Sequence, residues 1–393
     1  MNKKQPKEKE NKHHIASGNS AASSLLMITC SLLIALSFLS CKKESWKPGM
    51  PIAKENVKIG VVYITDPFSE RSGYAYAHQT GIEEMKNNLG LTDNQILYKT
   101  HIDDVDLISI ENAHRELIAQ GANIIISTSW GYMDICEQLA QDFPSVIFAI
   151  IGDKYNDTNL TNYYGKIYQA RYLSGIAAGM KTKTNKIGFV AAWGKDNSDI
   201  TGGINAFALG VEKVNPKAQI YVKVTYSWFD PMGETFASRA LIASGCDVIA
   251  HHTATPTPMI EAERAGVWGI GYSTDMSADA PAAVITSVIW RWSAYYTFLV
   301  QSVIDGTFTT APWYGSLKDR VVDLAPLNKN IPLDAETARI IDEERRRIES
   351  GAFNVFSGVM ETNNGKSIGK EGGNLTDDEI RNGMNWYYRT VTE

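Results

Sequence analysis

Aromatic and polar side chains recur in this chain just beyond the ends of short apolar runs. Tyr74 follows the first such run, Trp130 comes after Thr128, and Trp193 after Ala192. Trp228 follows Tyr226, His252 and Thr253 follow His251, Asp275 comes after Tyr272, and Trp290 after Val288. Flat rings with a few converging carboxylates suit a planar, polar, uncharged ligand, stacked between ring faces and hydrogen-bonded at its edge. Each residue also has a plainer use. Asp275 can cap the turn after its strand, and one of Trp290 and Trp292 can belong to the core. His251-His252 invites a metal reading, but neighbours on a strand point to opposite faces, and no further histidine or cysteine lies at ligand spacing. Gly202-Gly203 opens a helix after a strand, yet a phosphate-cradling loop needs more glycines and a lysine or serine in register. No Gly-x-Ser-x-Gly elbow, His-Glu-x-x-His pair or matched carboxylates suggest catalysis. The expectation is a binding protein without metal or cofactor.

The elements that must carry these residues alternate in type. Val57–Tyr63, Ile124–Thr128, Val146–Ile151, Lys186–Ala191, Gln219–Val224, Val248–His251, Val267–Gly271 and Val284–Val288 are strand-like. Between them lie helix-like segments at 75–88, 112–120, 132–142, 168–181, 200–214, 234–244, 256–265 and 293–305. Gly121 is placed to end the second of these helices. The charge cluster Glu343–Arg347 reads as a solvated helix face. Strand, helix, strand at this spacing predicts an α/β fold of right-handed units with parallel sheets. Strands that are apolar throughout predict sheets covered on both faces. In such folds ligands sit beyond the carboxyl ends of the strands, where the aromatic residues recur.

Composition narrows the setting. The first 24 residues carry Lys3, Lys4, Lys7, Lys9 and Lys12, an apolar run extends from Leu25 to Leu39, and Ser40 precedes Cys41. That order is the charged, apolar and cleavage-site sequence of a secretory signal. The run is roughly 15 residues long, short of the roughly 20 that a spanning helix needs. Leu39-Ser40-Cys41 resembles the lipobox of bacterial lipoproteins, with Phe38 where that motif usually has Leu. The expectation is a signal over 1–41 with lipid on Cys41, and the alternative is an uncleaved anchor helix. Either places the rest outside the cytoplasm on a membrane, joined by a flexible tether over 42–56 containing Pro48 and Pro51. About 350 residues remain, more than one core usually holds, so two lobes are expected. A net charge of −6 with interspersed signs argues against a nucleic-acid partner. Cys136 and Cys246 read as buried free thiols.

Longer motifs carry a resemblance. Ile59–Tyr63, Gly73–His78, Thr128–Asp134, Ala170–Gly179, Gly203–Gly210, Ser227–Pro231, Gly271–Met276 and Met384–Tyr387 resemble the basic-membrane-protein family of ABC-transporter substrate-binding lipoproteins. The resemblance spans nearly all of 57–391. It implies a type I periplasmic-binding-protein fold with a hinged cleft between two lobes, placed at 57–164 plus 276–318 and at 165–275 plus 319–393. It also implies a monomer that hands a small molecule to a membrane permease. Family relatives bind purine nucleosides between two aromatic rings, with aspartates on the base and ribose sides and a lysine on the ribose. Tyr74 and Trp228 align with the rings and Asp275 with the ribose carboxylate, while His252 and Thr253 fall on a segment near the sugar. The chain departs from the pattern at Trp290, where the ribose lysine stands, and at Ser69–Tyr74, where an acidic loop stands. A purine nucleoside and a free purine base are therefore both expected ligands. The alternatives are an extracytoplasmic nucleoside-processing enzyme and a surface lipoprotein with an interaction role.

Overall fold

The computed structural model describes residues 46–393. The expected signal over 1–41, its Cys41 and the first residues of the expected tether lie outside them. Described residues 47–393 form one compact unit. Among the described residues no helix is long and apolar enough to cross a membrane.

The first half of the chain runs β1 (Ile59–Val62), α1 (Tyr74–Leu89), β2 (Ile96–Lys99), α2 (Leu107–Ala119), β3 (Ile124–Ser127), α3 (Met133–Asp142), β4 (Ile147–Ile151) and β5 (Leu160–Gly165). The next stretch runs α4 (Ile167–Lys181), β6 (Lys186–Ala191), α5 (Ser198–Val214), β7 (Gln219–Val224), α6 (Pro231–Ala243), β8 (Val248–His252), α7 (Thr257–Ala265), β9 (Trp268–Ser273) and β10 (Val284–Trp290). The remainder is α8 (Ser293–Asp305), β11 (Trp313–Gly315), β12 (Val322–Leu324), α9 (Ala335–Glu349), β13 (Ser357–Glu361), β14 (Ser367–Asn374), α10 (Asp377–Gly383) and β15 (Val391–Thr392).

Two sheets result. The first has strand order β11-β5-β4-β3-β1-β2 and the second β12-β10-β9-β8-β6-β7-β15. Every pairing in them is parallel except that of β10 with β12. The short strands that bury every residue, such as Ile124–Ser127 and Ile147–Ile151, are those a doubly covered sheet requires. Ile110, Leu117, Ile125, Leu139 and Phe148 form the core of the first lobe. Leu241, Ile249, Met259 and Met276 do so beside the second sheet. There α4 and α5 approach so closely that a Cβ at Gly175 would strike the Phe207 carbonyl, and one at Gly210 the Tyr172 carbonyl. This backbone proximity explains the small residues in Ala170–Gly179 and Gly203–Gly210.

The chain passes between the sheets three times, at 165–186, 290–313 and 315–322. Strand pairing thereby draws one boundary differently from the sequence expectation. Val284–Trp290 pairs with β9 in the second sheet, so the segment 276–290 belongs with that lobe. Its β-branched run extends the second parallel sheet, and the crossing begins only at Trp290.

The expected tether is also modified. Ile52 N–H donates to the Ile304 carbonyl at 3.3 Å, Gln95 Nε2 donates to the carbonyls of Lys54 and Val57, and Asn123 Nδ2 donates to that of Asn56. From Ile52 onward the segment is bonded to the first lobe, because these carbonyls find side-chain amide donors. Both Cys136 and Cys246 are free and buried, and burial pushes the Cys136 thiol up to about 12.

Candidate functional site

Loops at the carboxyl ends of both sheets converge on a cavity of about 320 Å³ between the lobes. From the first lobe come Glu70 before α1, Tyr74 at its first turn, Trp130 after β3 and Tyr164 on β5. From the second come Asp196–Asp199 at the start of α5, Trp228 and Phe229 before α6, His252 and Thr253 at the end of β8, and Tyr272 on β9. Arg381 and Asn382 of α10 complete the wall. Rings thus enter from both sides of one opening.

Contacts across its rim join the lobes. Gly73 N–H donates to Thr274 Oγ1 at 3.0 Å, the Tyr164 hydroxyl donates to Asp199 Oδ2 at 2.8 Å, and Arg381 Nη2 donates to the Gly152 carbonyl at 3.0 Å. Gly73 has φ +99° and a Cβ there would stand 2.5 Å from the Ala254 carbonyl, so this crossing point needs glycine on both counts.

Several polar groups in the wall are already engaged. The Tyr74 hydroxyl donates to the Thr128 carbonyl at 3.1 Å, and Ser129 Oγ donates to Asp104 at 2.6 Å. Thr253 donates to the fully buried Glu234 at 2.9 Å and receives His251 Nδ1 at 3.0 Å, while Thr255 also donates to Glu234 at 2.6 Å. Burial pushes the Glu234 carboxyl up to about 7, against the pull of the two threonine hydroxyls. Burial also pushes Asp199 up to about 6, opposed by the Tyr164 hydroxyl and the charges of Arg171 and Arg381. His252 Nε2 stands 3.8 Å from Asp199 Oδ2, and burial, with Arg171 and His251 nearby, holds this histidine well below its usual range. It is neutral at ordinary pH.

Of the residues expected from sequence, Tyr74, Trp130, Trp228, His252 and Thr253 meet in this cavity. Trp193, Asp275 and Trp290 stand outside its wall. Trp193 lies behind Trp228, ring edge to face at 6.5 Å. Trp290 is buried, stacks on Trp292 at 4.3 Å and donates from Nε1 to the Tyr272 hydroxyl at 3.1 Å, so it supports the wall from behind. Both tryptophans of this pair are core residues. Asp275 is exposed and caps the turn Met276–Ala278 by accepting Ser277 N–H at 2.9 Å. The turn Met276-Ser277-Ala278 just after it leaves backbone donors that a carboxylate satisfies locally. Among the described residues no group of three or more His, Cys, Asp or Glu could hold a metal ion.

Sequence reasoning missed Glu70, Tyr164, Asp199, Arg381 and Asn382. Asp199 lies eight residues beyond its strand, where the Asn197 side chain caps the helix through Ile200 N–H. That cap was the available signal. Arg381 is brought in from the far end of the chain by α10, and no local pattern announces it.

Residues 57–353 match the family described as Bmp, ABC transporter substrate-binding protein PnrA-like. A purine-binding protein of Brucella abortus is 30% identical over 88% of this chain and 95% of its own length. A putative ABC transporter glucose-binding protein of Haloferax volcanii is 30% identical over 80% of this chain and 78% of its own. Among solved structures, an ABC transporter solute-binding protein from Conexibacter woesei superposes with a TM-score of 0.64 at 20% identity, covering 76% of this chain and 98% of that one.

Proposed function

The chain belongs to the Bmp family of PnrA-like substrate-binding proteins of ABC transporters, and from that premise we propose that it captures a purine base or purine nucleoside in its interlobe cleft. Such proteins act outside the cytoplasm and present a small molecule to a membrane permease, and the family is one of binding proteins, not enzymes. The finer reading concerns the ligand and the anchor.

One observation carries the ligand: rings of both lobes, Tyr74 and Trp130 on one side and Trp228 and Phe229 on the other, line a single cavity. At about 320 Å³ this cavity lies at the small end of the roughly 300–1,000 Å³ usual for small-molecule sites. A flat heterocycle stacks on such faces and needs few polar partners at its edge. A hexose carries hydroxyls around its whole rim, each needing a partner, and here Tyr74, Ser129 and Thr253 are already engaged with the protein. The Brucella relative is named for purine binding and supports the same choice. Trp290 is buried behind the wall, so the ribose lysine of nucleoside-binding relatives has no counterpart at that place. The base and the nucleoside both remain within the reading. The anchor is lipid on Cys41, motivated by the apolar run and Ser40 that precede it.

Native mass spectrometry of the protein with an equimolar mixture of adenine, hypoxanthine, adenosine, inosine and glucose tests the ligand. A complex carrying the mass of one purine is expected. A complex with glucose alone contradicts the reading.

A further inference from the structure

Counting hydrogen-bond capacity around the cavity singles out one group. An ionised carboxylate offers about four acceptor positions. Asp199 uses one of them for the Tyr164 hydroxyl at 2.8 Å, and the nearest basic atom, His252 Nε2, is 3.8 Å away. Its charge is matched at a distance by Arg171, which is wholly buried behind the wall. That guanidinium stands over the Tyr272 ring, 4.4 Å from its centroid, and none of its three nitrogens has a protein partner. Several other polar groups of the wall have commitments, Tyr74 to Thr128, Thr253 to Glu234, Tyr272 to Trp290, Asn382 to Asp378, and Glu70 to Thr65 and the Tyr76 backbone, while Asp196 is exposed and the buried Nδ1 of His252 has no partner. Among the carboxylates of the wall Asp199 is the sheltered one with acceptor positions to spare, and it sits in the first turn of α5, where the helix's positive end favours a carboxylate.

We propose that Asp199 is the specificity-determining residue of the cleft, accepting a hydrogen bond from a ring or exocyclic N–H of a neutral heterocycle while Tyr164 fixes the carboxylate from the opposite lobe. The assignment rests on the purine reading and names the ligand feature that the site selects: a donor edge turned toward α5. Because Tyr164 lies on the first lobe and Asp199 on the second, the acceptor is correctly held only when the lobes meet. Ligand recognition and lobe closure therefore depend on the same hydrogen bond.

The groups facing Asp199 are Tyr164 on β5, His252 on β8, Tyr272 on β9, Arg171 on α4 and Arg381 on α10. Arg171 stays charged in the physiological range and His252 stays neutral, while Glu234 beneath Thr253 is pushed up to about 7, so a change in binding near pH 6 that Asp199→Asn abolishes reports Asp199. Its ionised form accepts the ligand N–H, and affinity is full above that pH and falls as pH drops through it.

The test measures adenine and hypoxanthine affinities of wild type, Asp199→Asn and Tyr164→Phe by calorimetry from pH 5.5 to 8. The two bases place donor and acceptor differently at adjoining ring positions, so exchanging an acceptor oxygen for an amide donor affects them unequally. Asp199→Asn is expected to weaken the preferred base about tenfold to a hundredfold, the range for a hydrogen bond to a charged group. It should shift the adenine-to-hypoxanthine ratio by about tenfold and abolish the fall at low pH. Tyr164→Phe removes one hydroxyl that stabilises the ionised form, and its fall should begin at a higher pH than in wild type. An Asp199→Asn protein with the wild-type ratio or the wild-type pH profile overturns the assignment. So does a Tyr164→Phe profile that superimposes on that of wild type, which decides the matter if Asp199→Asn does not fold. Wild-type protein that binds neither base at any pH overturns the purine reading and the assignment with it, an outcome distinct from the others.

Discussion

Replacing Glu234 by Gln should change how the stability of this protein depends on pH. The carboxyl is fully buried under the cavity wall, with Oε2 accepting both Thr253 and Thr255 and Oε1 accepting only a long 3.4 Å bond from Asp230 N–H. Glutamine can set its oxygen at the Oε2 position and keep both threonine bonds, losing only the long one. Burial raises the folded-state pKa from 4.5 to about 7. Below pH 4.5 the folded and unfolded chains both hold the proton, and the group costs nothing. As pH rises toward 7 the unfolded chain loses its proton first and is favoured, so stability falls through this window and is flat above it. A displacement of that size is equivalent to about 3 kcal/mol at 1.36 kcal/mol per pH unit. Gln has no proton to lose, so the stability difference between Glu234→Gln and wild type should move by about 3 kcal/mol in the variant's favour between pH 4.5 and 7. Urea unfolding of both proteins at several pH values within the window measures this. Asp199 titrates in the same window in both, and cancels in the difference. Curves that stay parallel would refute the claim that Glu234 retains its proton in the folded state.

Trp228→Ala should weaken purine binding by about 1–3 kcal/mol, the usual worth of a base on an aromatic face; since the ring is only half-buried, thermal unfolding should shift little, and titration calorimetry separates the two effects. Gly210→Ala places a methyl against the Tyr172 carbonyl at the crossing of α4 and α5 and should destabilise the second lobe by about 1–3 kcal/mol, read as a lower urea midpoint at unchanged ligand stoichiometry. Cys41→Ser in the full chain should move the protein from the membrane fraction to the soluble one and abolish incorporation of labelled palmitate; unchanged fractionation and labelling would refute the lipid anchor.

The periodic elements were legible because burial on both faces writes itself into composition. Lys186–Ala191, Gln219–Val224 and Ser293–Asp305 have the bounds their residue patterns predict. Ile96–Lys99 and Leu160–Gly165 were not visible as strands: the first is an edge strand with half-buried residues, and the second mixes Thr, Asn and Tyr in place of a β-branched run. Leu107–Ala119 begins five residues before the helix expected at 112–120, because Asp106 caps it through Ile108 and Ser109 N–H. In the cavity the rule that ligands lie beyond strand ends located Tyr74, Trp130, Trp228, His252 and Thr253. It could not separate wall from support, since Trp193 follows a strand as Trp228 does and Trp290 ends one, and they differ from Trp228 in tertiary packing. Asp275 illustrates the same limit, as a carboxylate after a strand serves a turn as readily as a ligand. Asp199 and Arg381 enter from a helix start and from the C-terminal helix, and only the folded chain brings them to the opening.

The most direct test of the account is titration calorimetry of one preparation, near neutral pH, with adenine, hypoxanthine, adenosine, inosine and glucose in turn. Saturable one-to-one binding of at least one purine and no heat from glucose is the predicted result. Glucose binding with no response to any purine would contradict it, because rings converging from two lobes would then have no flat ligand to hold.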